Sequence, residues 1–230
     1  MTAENYLNGQ VLLIDKPLKW TSFQTVNKIR WQLKKKFNLK KIKVGHAGTL
    51  DPLATGLLVI CIGKETKNIA LYQNQIKEYT GTFLLGQTTP SYDLETEINQ
   101  TFPIDHITVE LIKKVSQQFL GEINQKPPLF SALKKEGKRL YELAREGKTT
   151  QIDSRKITIS EFELLKTALP KVHFRVVCSK GTYIRSLVHD FGQALSSGAH
   201  LTGLKRTKIG DLSLEKALSI SNFIQQLEAD

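Results

Sequence analysis

The stretch Gly45–Leu58, GHAGTLDPLATGLL, places one carboxylate, Asp51, among glycines, small residues and leucines. A lone carboxylate held in a dry pocket is suited to covalent catalysis. Gly45 and Gly48 allow backbone shapes, and close approach by a ligand, that other residues resist. His46 adds a polar aromatic ring to the same loop. The plainer reading is structural: an Asp before Pro52 and an apolar run has the pattern of a helix N-cap followed by Pro at the first helical position. Both readings stand on the local pattern alone. A second constellation is Cys178–Arg185, CSKGTYIR, in which a strand runs into a Lys-Gly turn and then a helix. Arg185 falls in the first helical turn, where the helix dipole disfavours a cation. It is either solvated there or held by a carboxylate or phosphate.

Other chemistries find little support. The chain has no GxGxxG, GxSxG or HExxH pattern. The run GLLVICIGKE superficially resembles a phosphate loop, but its glycine spacing is wrong and Glu65 stands where Ser or Thr would hold magnesium. The five histidines show no metal-ligand spacing, and Cys61 and Cys178 form neither a disulfide framework nor a zinc signature. No cofactor or metal is expected.

These residues need a scaffold. Gly9–Ile14 reads as a buried strand stopped at Asp15-Lys16-Pro17. Thr21 and Gln24 fit a capping box, with Phe23, Val26, Arg30, Leu33 and Phe37 following at helical spacing. Strands are expected over 57–63, 77–86, 157–165 and 172–179, and from Leu201 to Gly210. Helices are expected over 66–73, 108–120, 140–146, from Thr182 and over 214–228. QTTPSYDLETEINQTFP reads as a loop. Paired strands with helices between them point to an α+β fold, a mixed, mostly antiparallel sheet flanked by helices. A chain of 230 residues with net charge +11 favours a polyanionic partner, nucleic acid first. No signal segment and no membrane-length apolar run is visible, so a cytoplasmic protein without membrane association is expected.

Four blocks, LLIDKP, VGHAGTLDPLATGLLVICIGKETK, PPLFSALKKEGKRLYELAREG and CSKGTYIRSLVHDFG, resemble the TruB family of tRNA pseudouridine-55 synthases. They run in the family's order from about Val11 to Arg206. The resemblance implies the pseudouridine synthase fold. It implies a cofactor-free isomerase that converts one uridine of the TΨC loop of tRNA to pseudouridine. The partner would be the tRNA T-arm, with no protein partner, and the enzyme a monomer. By motif, Asp51 is the nucleophile, and Arg185 pairs with it. Tyr79 stacks on the target base and His46 holds the opened loop. Lys16 supports the active-site loop, Leu204 lines the base pocket, and Tyr183 accompanies Arg185. The family's TDTxD is TTPSYD here, with Asp93 matching the last acid and Pro90 in place of the first. The paired arginines near the end are Lys205 and Arg206. One catalytic domain over 1–230 is expected, with 207–230 a short tail in place of a full C-terminal RNA-binding domain. The lysine run 34–43, with Lys67, Lys134, Lys135, Lys138 and Arg139, would meet phosphates. A non-catalytic tRNA-binding or RNA-folding protein explains the charge equally well, but not an acid on a glycine loop.

Overall fold

A computed structural model describes residues 1–135, 137–148 and 150–229. The side chain of Lys135, and Asp230 at the end of the expected tail, lie outside the described residues. In chain order the first elements are α1 (Ala3–Asn8), β1 (Gln10–Lys16), α2 (Ser22–Lys36), β2 (Val44–His46), β3 (Ala54–Ile62), α3 (Ile69–Asn74), β4 (Lys77–Leu85), β5 (Gln87–Thr88), β6 (Gln100–Thr101) and α4 (Val109–Ser116). They are followed by β7 (Gly121–Gln125), β8 (Lys134–Lys135), β9 (Lys138–Arg139), α5 (Leu140–Arg145), β10 (Arg155–Ala168), β11 (Lys171–Cys178), α6 (Ile184–Ala194), β12 (Ala199–Ile209), β13 (Leu212–Ser213) and α7 (Ile220–Ala229). The chain divides into a terminal unit, Met1–Tyr79 with Leu204–Asp230, and a central unit, Thr80–Gly203.

The terminal unit is built on β3. Its sequence, ATGLLVICI, is a near-continuous apolar run because both faces are covered. β1 lies antiparallel along its whole length, from Gln10 opposite Ile62 to Lys16 opposite Gly56. β2 pairs antiparallel with its far end, His46 opposite Ile60. The last part of β12 runs parallel to its start, Leu204 opposite Ala54 and Arg206 opposite Gly56. This parallel pair makes an otherwise antiparallel arrangement mixed, as expected.

Helix α2 opens on the expected capping box, with the Thr21 hydroxyl accepting from the Gln24 amide. Its buried line is Val26, Ile29 and Leu33, packed on Leu12, Ile14, Leu58 and Ile60. Burying each such side chain stabilises by about 1.5–3 kcal/mol. The expected stripe is displaced. Phe23 is 65% exposed, because Phe23 and Arg30 lie about a quarter turn from the line that faces the sheet. The helix ends in a Schellman turn, with Asn38 at φ 50° and the Leu39 amide bonded to the Lys34 carbonyl at 3.1 Å. The C-terminal helix α7 sets Phe223 and Leu227 into the same core.

In the central unit the strand order is β12–β4–β11–β10–β7, with β10 antiparallel to both β11 and β7. Its core is aromatic: Phe83, Phe119, Phe162, Phe174 and Phe191 meet at tilted and edge-to-face angles, with centroids 5.5–6.5 Å apart. The expected loop over 87–103 is irregular apart from the short β5–β6 pair. Among the described residues no helix is long and apolar enough to cross a membrane, and no group of three or more His, Cys, Asp or Glu could hold a metal ion.

Candidate active site

Asp51 caps no helix. Pro52 and Leu53 turn directly into β3, with the Ala54 amide bonded to the Asp51 carbonyl at 3.1 Å. The Asp-Pro pattern that reads as a cap is here a turn, because the β-branched and apolar run after it is claimed by the sheet. The loop is fastened from several sides. The Ser22 hydroxyl both donates to the Leu50 carbonyl (3.2 Å) and accepts from the Leu50 amide (2.9 Å). The Lys19 amide donates to the Pro52 carbonyl at 2.8 Å.

Beneath this loop, Lys16, Gly56 and Arg206 form one row across β1, β3 and β12. Gly56 has φ +101°, and a Cβ there would collide with the Arg206 backbone. Only glycine lets the strand that carries Arg206 close on β3 at that point. Both cations are buried, Lys16 at 0% and Arg206 at 1% exposure. Lys16 Nζ donates to the carbonyls of Pro17 (3.0 Å) and Trp20 (2.5 Å). Burial pushes its pKa down to about 8, the Asp51 carboxylate opposes that shift, and the Arg206 guanidinium adds to it. Arg206 Nε donates to the Leu57 carbonyl (2.8 Å) and Nη2 to the Gly48 carbonyl (3.1 Å). Its guanidinium thus ties the glycine turn before Asp51 to β3. His46, half-buried on β2, has its pKa lowered by burial, with the Gly48 backbone opposing and Arg206 reinforcing.

So the terminal unit brings together Asp51, Lys16 and, at the start of β3, Leu204, whose Cα partner is Ala54. Tyr79 is buried on β4. Lys67 is exposed in the 3-10 turn after β3. Arg206 is the residue that sequence reasoning passed over: it was visible only as one of two basic residues near the end. Nothing in KRTKIG distinguishes a buried arginine from its exposed neighbours.

The central unit holds the rest. Arg185 Nε lies 3.6 Å from Asp93 Oδ2. Arg185 also donates to the carbonyls of Ser91 (3.0 Å) and Phe130 (2.9 Å). Both side chains are buried, Arg185 at 3% and Asp93 at 4%. A buried cation at a helix start therefore has the partner its position demanded. The TTPSYD loop closes on Asp93. The Thr89 and Ser91 hydroxyls donate to its carbonyl, and its Oδ1 accepts from the Glu95 amide at 3.0 Å. Tyr92, at φ 64°, stacks on His189 with centroids 3.8 Å apart. Tyr183 caps α6 and carries the Arg155 guanidinium over its ring at 4.6 Å. Gln125 clamps its backbone, accepting from the amide and donating to the carbonyl.

The family model for the N-terminal domain of TruB family pseudouridylate synthases matches residues 34–184. That range contains His46, Asp51, Tyr79 and Asp93 and stops just before Arg185. A protein of Flavobacterium johnsoniae named tRNA pseudouridine synthase B is 65% identical over 99% of this chain and all of its own length. One of the same name from Phocaeicola vulgatus is 56% identical over 97% of this chain and 95% of its own. Among solved structures, the crystal structure of the archaeal box H/ACA sRNP Nop10–Cbf5 complex matches with TM-score 0.71 and 26% identity, over 99% of this chain. This chain covers 57% of that one, a little over half its length. The H/ACA RNP bound to a substrate RNA containing 2′-deoxyuridine matches similarly, at TM-score 0.70 and 27% identity over 98% of this chain and 55% of that one. With the family model and these relatives in agreement, the chain belongs to the TruB family of pseudouridylate synthases.

Proposed function

We propose that this enzyme isomerises uridine 55 in the T-arm of tRNA to pseudouridine, acting as a monomer in the cytoplasm with Asp51 as nucleophile. The observation that supports this reading most is the setting of Asp51. It is a single carboxylate on a turn fixed by Ser22 and Arg206, beside a buried lysine whose charge it favours. The relatives' shared name, tRNA pseudouridine synthase B, over the whole length of the chain supplies the substrate class.

The reaction exchanges one glycosidic bond for another. The N1–C1′ bond breaks, the freed base turns, and a C5–C1′ bond forms; C5 loses its proton and N1 gains one. No oxidant or reductant is required. The base must first leave its stack, at a cost of a few kcal/mol, offset by stacking and by polar contacts to its edge. In this reading Tyr79 stacks on the base, Leu204 lines its pocket and His46 fills the vacated space. Lys16 holds the loop beneath Asp51. Arg185, Asp93 and Tyr183 form the supporting cluster of the central unit, with Arg185 the charge partner of Asp51 during catalysis. Lys67 meets RNA phosphate.

The test is tritium release from C5-labelled uridine in a tRNA transcript. Asp51→Ala is expected to lose several orders of magnitude in turnover while still binding tRNA. Release by Asp51→Ala at more than a few per cent of the wild-type rate would refute the nucleophile. Absence of release by the wild type would favour a non-catalytic RNA-binding protein.

A further inference from the structure

The TTPSYD segment, Thr88 to Asp93, carries a strained residue. Thr89 to Tyr92 form a turn, with the Tyr92 amide bonded to the Thr89 carbonyl at 3.1 Å. Pro90 takes the first central position, where its fixed φ suits the turn. The residue that closes such a turn is commonly glycine. Here it is Tyr92, at φ 64°, a left-handed conformation that a bulky side chain keeps only where its surroundings hold it. The ring of Tyr92 stacks on His189, with centroids 3.8 Å apart and planes 13° from parallel. Its carbonyl accepts from the Leu201 amide at 2.9 Å. The stack and this bond join the turn to α6 and β12.

His189 lies one helical turn after Arg185 on α6, so the two share a face of the helix. The turn meets the helix at both levels. Ser91 and Asp93 set a carbonyl and a carboxylate against the Arg185 guanidinium, and they are the two residues that flank Tyr92. Any shift of the Tyr92 backbone therefore carries both with it. His189 Nδ1 is buried without a hydrogen-bond partner among the described residues. No bond at that nitrogen orients the imidazole, and the Tyr92 ring takes that part. Burial lowers the His189 pKa below the usual histidine value, so the ring is neutral at pH 7. Burial raises the Tyr92 pKa, with the Asp190 carboxylate reinforcing, so the stack is between two uncharged rings.

We propose that Tyr92 and His189 are a positioning pair. Their stack holds the turn in its left-handed closure, sets the plane of the Arg185 guanidinium through Ser91 and Asp93, and so governs the rate of the chemical step without adding RNA affinity. This rests on the reading above in which Arg185 is the charge partner of Asp51.

The experiment measures single-turnover tritium release at saturating tRNA transcript, beside transcript binding by fluorescence anisotropy, on the full chain. Tyr92→Gly removes one ring while suiting the left-handed backbone. His189→Leu removes the other ring from the helix side and leaves the turn sequence intact. A stack can bias the guanidinium by no more than its own interaction, roughly a 2–12-fold effect for an aromatic pair. Each variant should be slower by that factor, with an unchanged Kd. Tyr92→Phe keeps the stack and should restore the rate. The double variant Tyr92→Gly/His189→Leu should be no slower than either single one, because both remove the same contact. In an Arg185→Lys background an ammonium has no plane to orient, so Tyr92→Gly should slow the reaction no further. A Tyr92→Gly rate equal to wild type, additive losses in the double variant, the same loss in the Arg185→Lys background, or a weaker Kd with an unchanged saturated rate would each overturn the positioning pair. Those results leave the Asp51 assay intact. A wild type that binds tRNA and releases no tritium would instead refute the catalytic reading and, with it, this role.

Discussion

Replacing Arg206 by methionine removes a buried charge while keeping most of the side-chain volume. Two effects oppose each other. The Leu57 and Gly48 carbonyls lose donors now at 2.8 and 3.1 Å, and a buried acceptor left without its partner costs about 1–3 kcal/mol. Against this, Lys16 is relieved of a neighbouring cation. Arg206 is a lesser cause of the Lys16 shift than burial or Asp51, so that relief is about 1 kcal/mol at most. The carbonyl term wins, and a net loss of roughly 2–3 kcal/mol is expected, or about 5–10 °C in Tm for a chain of this size. Because Gly48 is freed three residues before Asp51, activity should fall by more than the stability loss explains at a temperature where the variant is folded. The pH signature separates this from simple loosening. Arg206 lowers the pKa of both Lys16 and His46, so removing it moves both titrations to higher pH. Any alkaline limb that reports Lys16, near 8 in the wild type, should shift upward. Thermal melts, with single-turnover tritium release followed from pH 5.5 to 9.5, test both parts. A variant within 0.5 kcal/mol of wild type with a superimposable pH profile would show that the guanidinium does not hold the turn.

Arg185→Met removes the ion pair to the buried Asp93 and the donors to the Ser91 and Phe130 carbonyls, and a loss of about 3–5 kcal/mol in a denaturant melt is expected. Arg185→Lys should restore only part of it, since one ammonium cannot reach three acceptors held around a planar fork; full rescue by lysine would contradict that geometry. Asp190 is the opposite case. Burial raises its pKa from 3.8 to about 6, so the folded state binds the extra proton between those values and stability falls as pH rises through that window. Asp190→Asn should therefore stabilise by about 1–3 kcal/mol at pH 8 and flatten the curve between pH 4 and 6. Parallel curves for the two proteins would remove the buried acid from the account.

Much of the scaffold was legible because it rests on local rules. The capping box at Thr21 and Gln24, the apolar run of β3 and the alternation of β10 and β11 each name their own structure. The acid on the glycine turn stood out in the sequence, and its Asp-Pro step, which reads equally well as a cap, is a turn because the following strand takes the chain. The helix-start position of Arg185 announced a partner, but not that Asp93, 92 residues earlier in the chain, supplies it. Phe23 was misplaced because Phe and Val at helical spacing do not say which flank faces the sheet. Arg206 was illegible because its partners are two backbone carbonyls far away in sequence, and a carbonyl leaves no residue type to recognise.

The bond between Arg206 and Gly48 spans 158 positions, and that span has a meaning in time. A ribosome adding roughly 5–20 residues per second delivers the Asp51 turn about 8–30 s before the arginine that fastens it. During that interval the whole of Thr80–Gly203 emerges, while β3 waits for β12 and α2 waits for Phe223 and Leu227 of α7. The Asp51 turn is thus made well before the arginine that fastens it, so a nascent chain that has not yet reached Arg206 carries the turn without that bond.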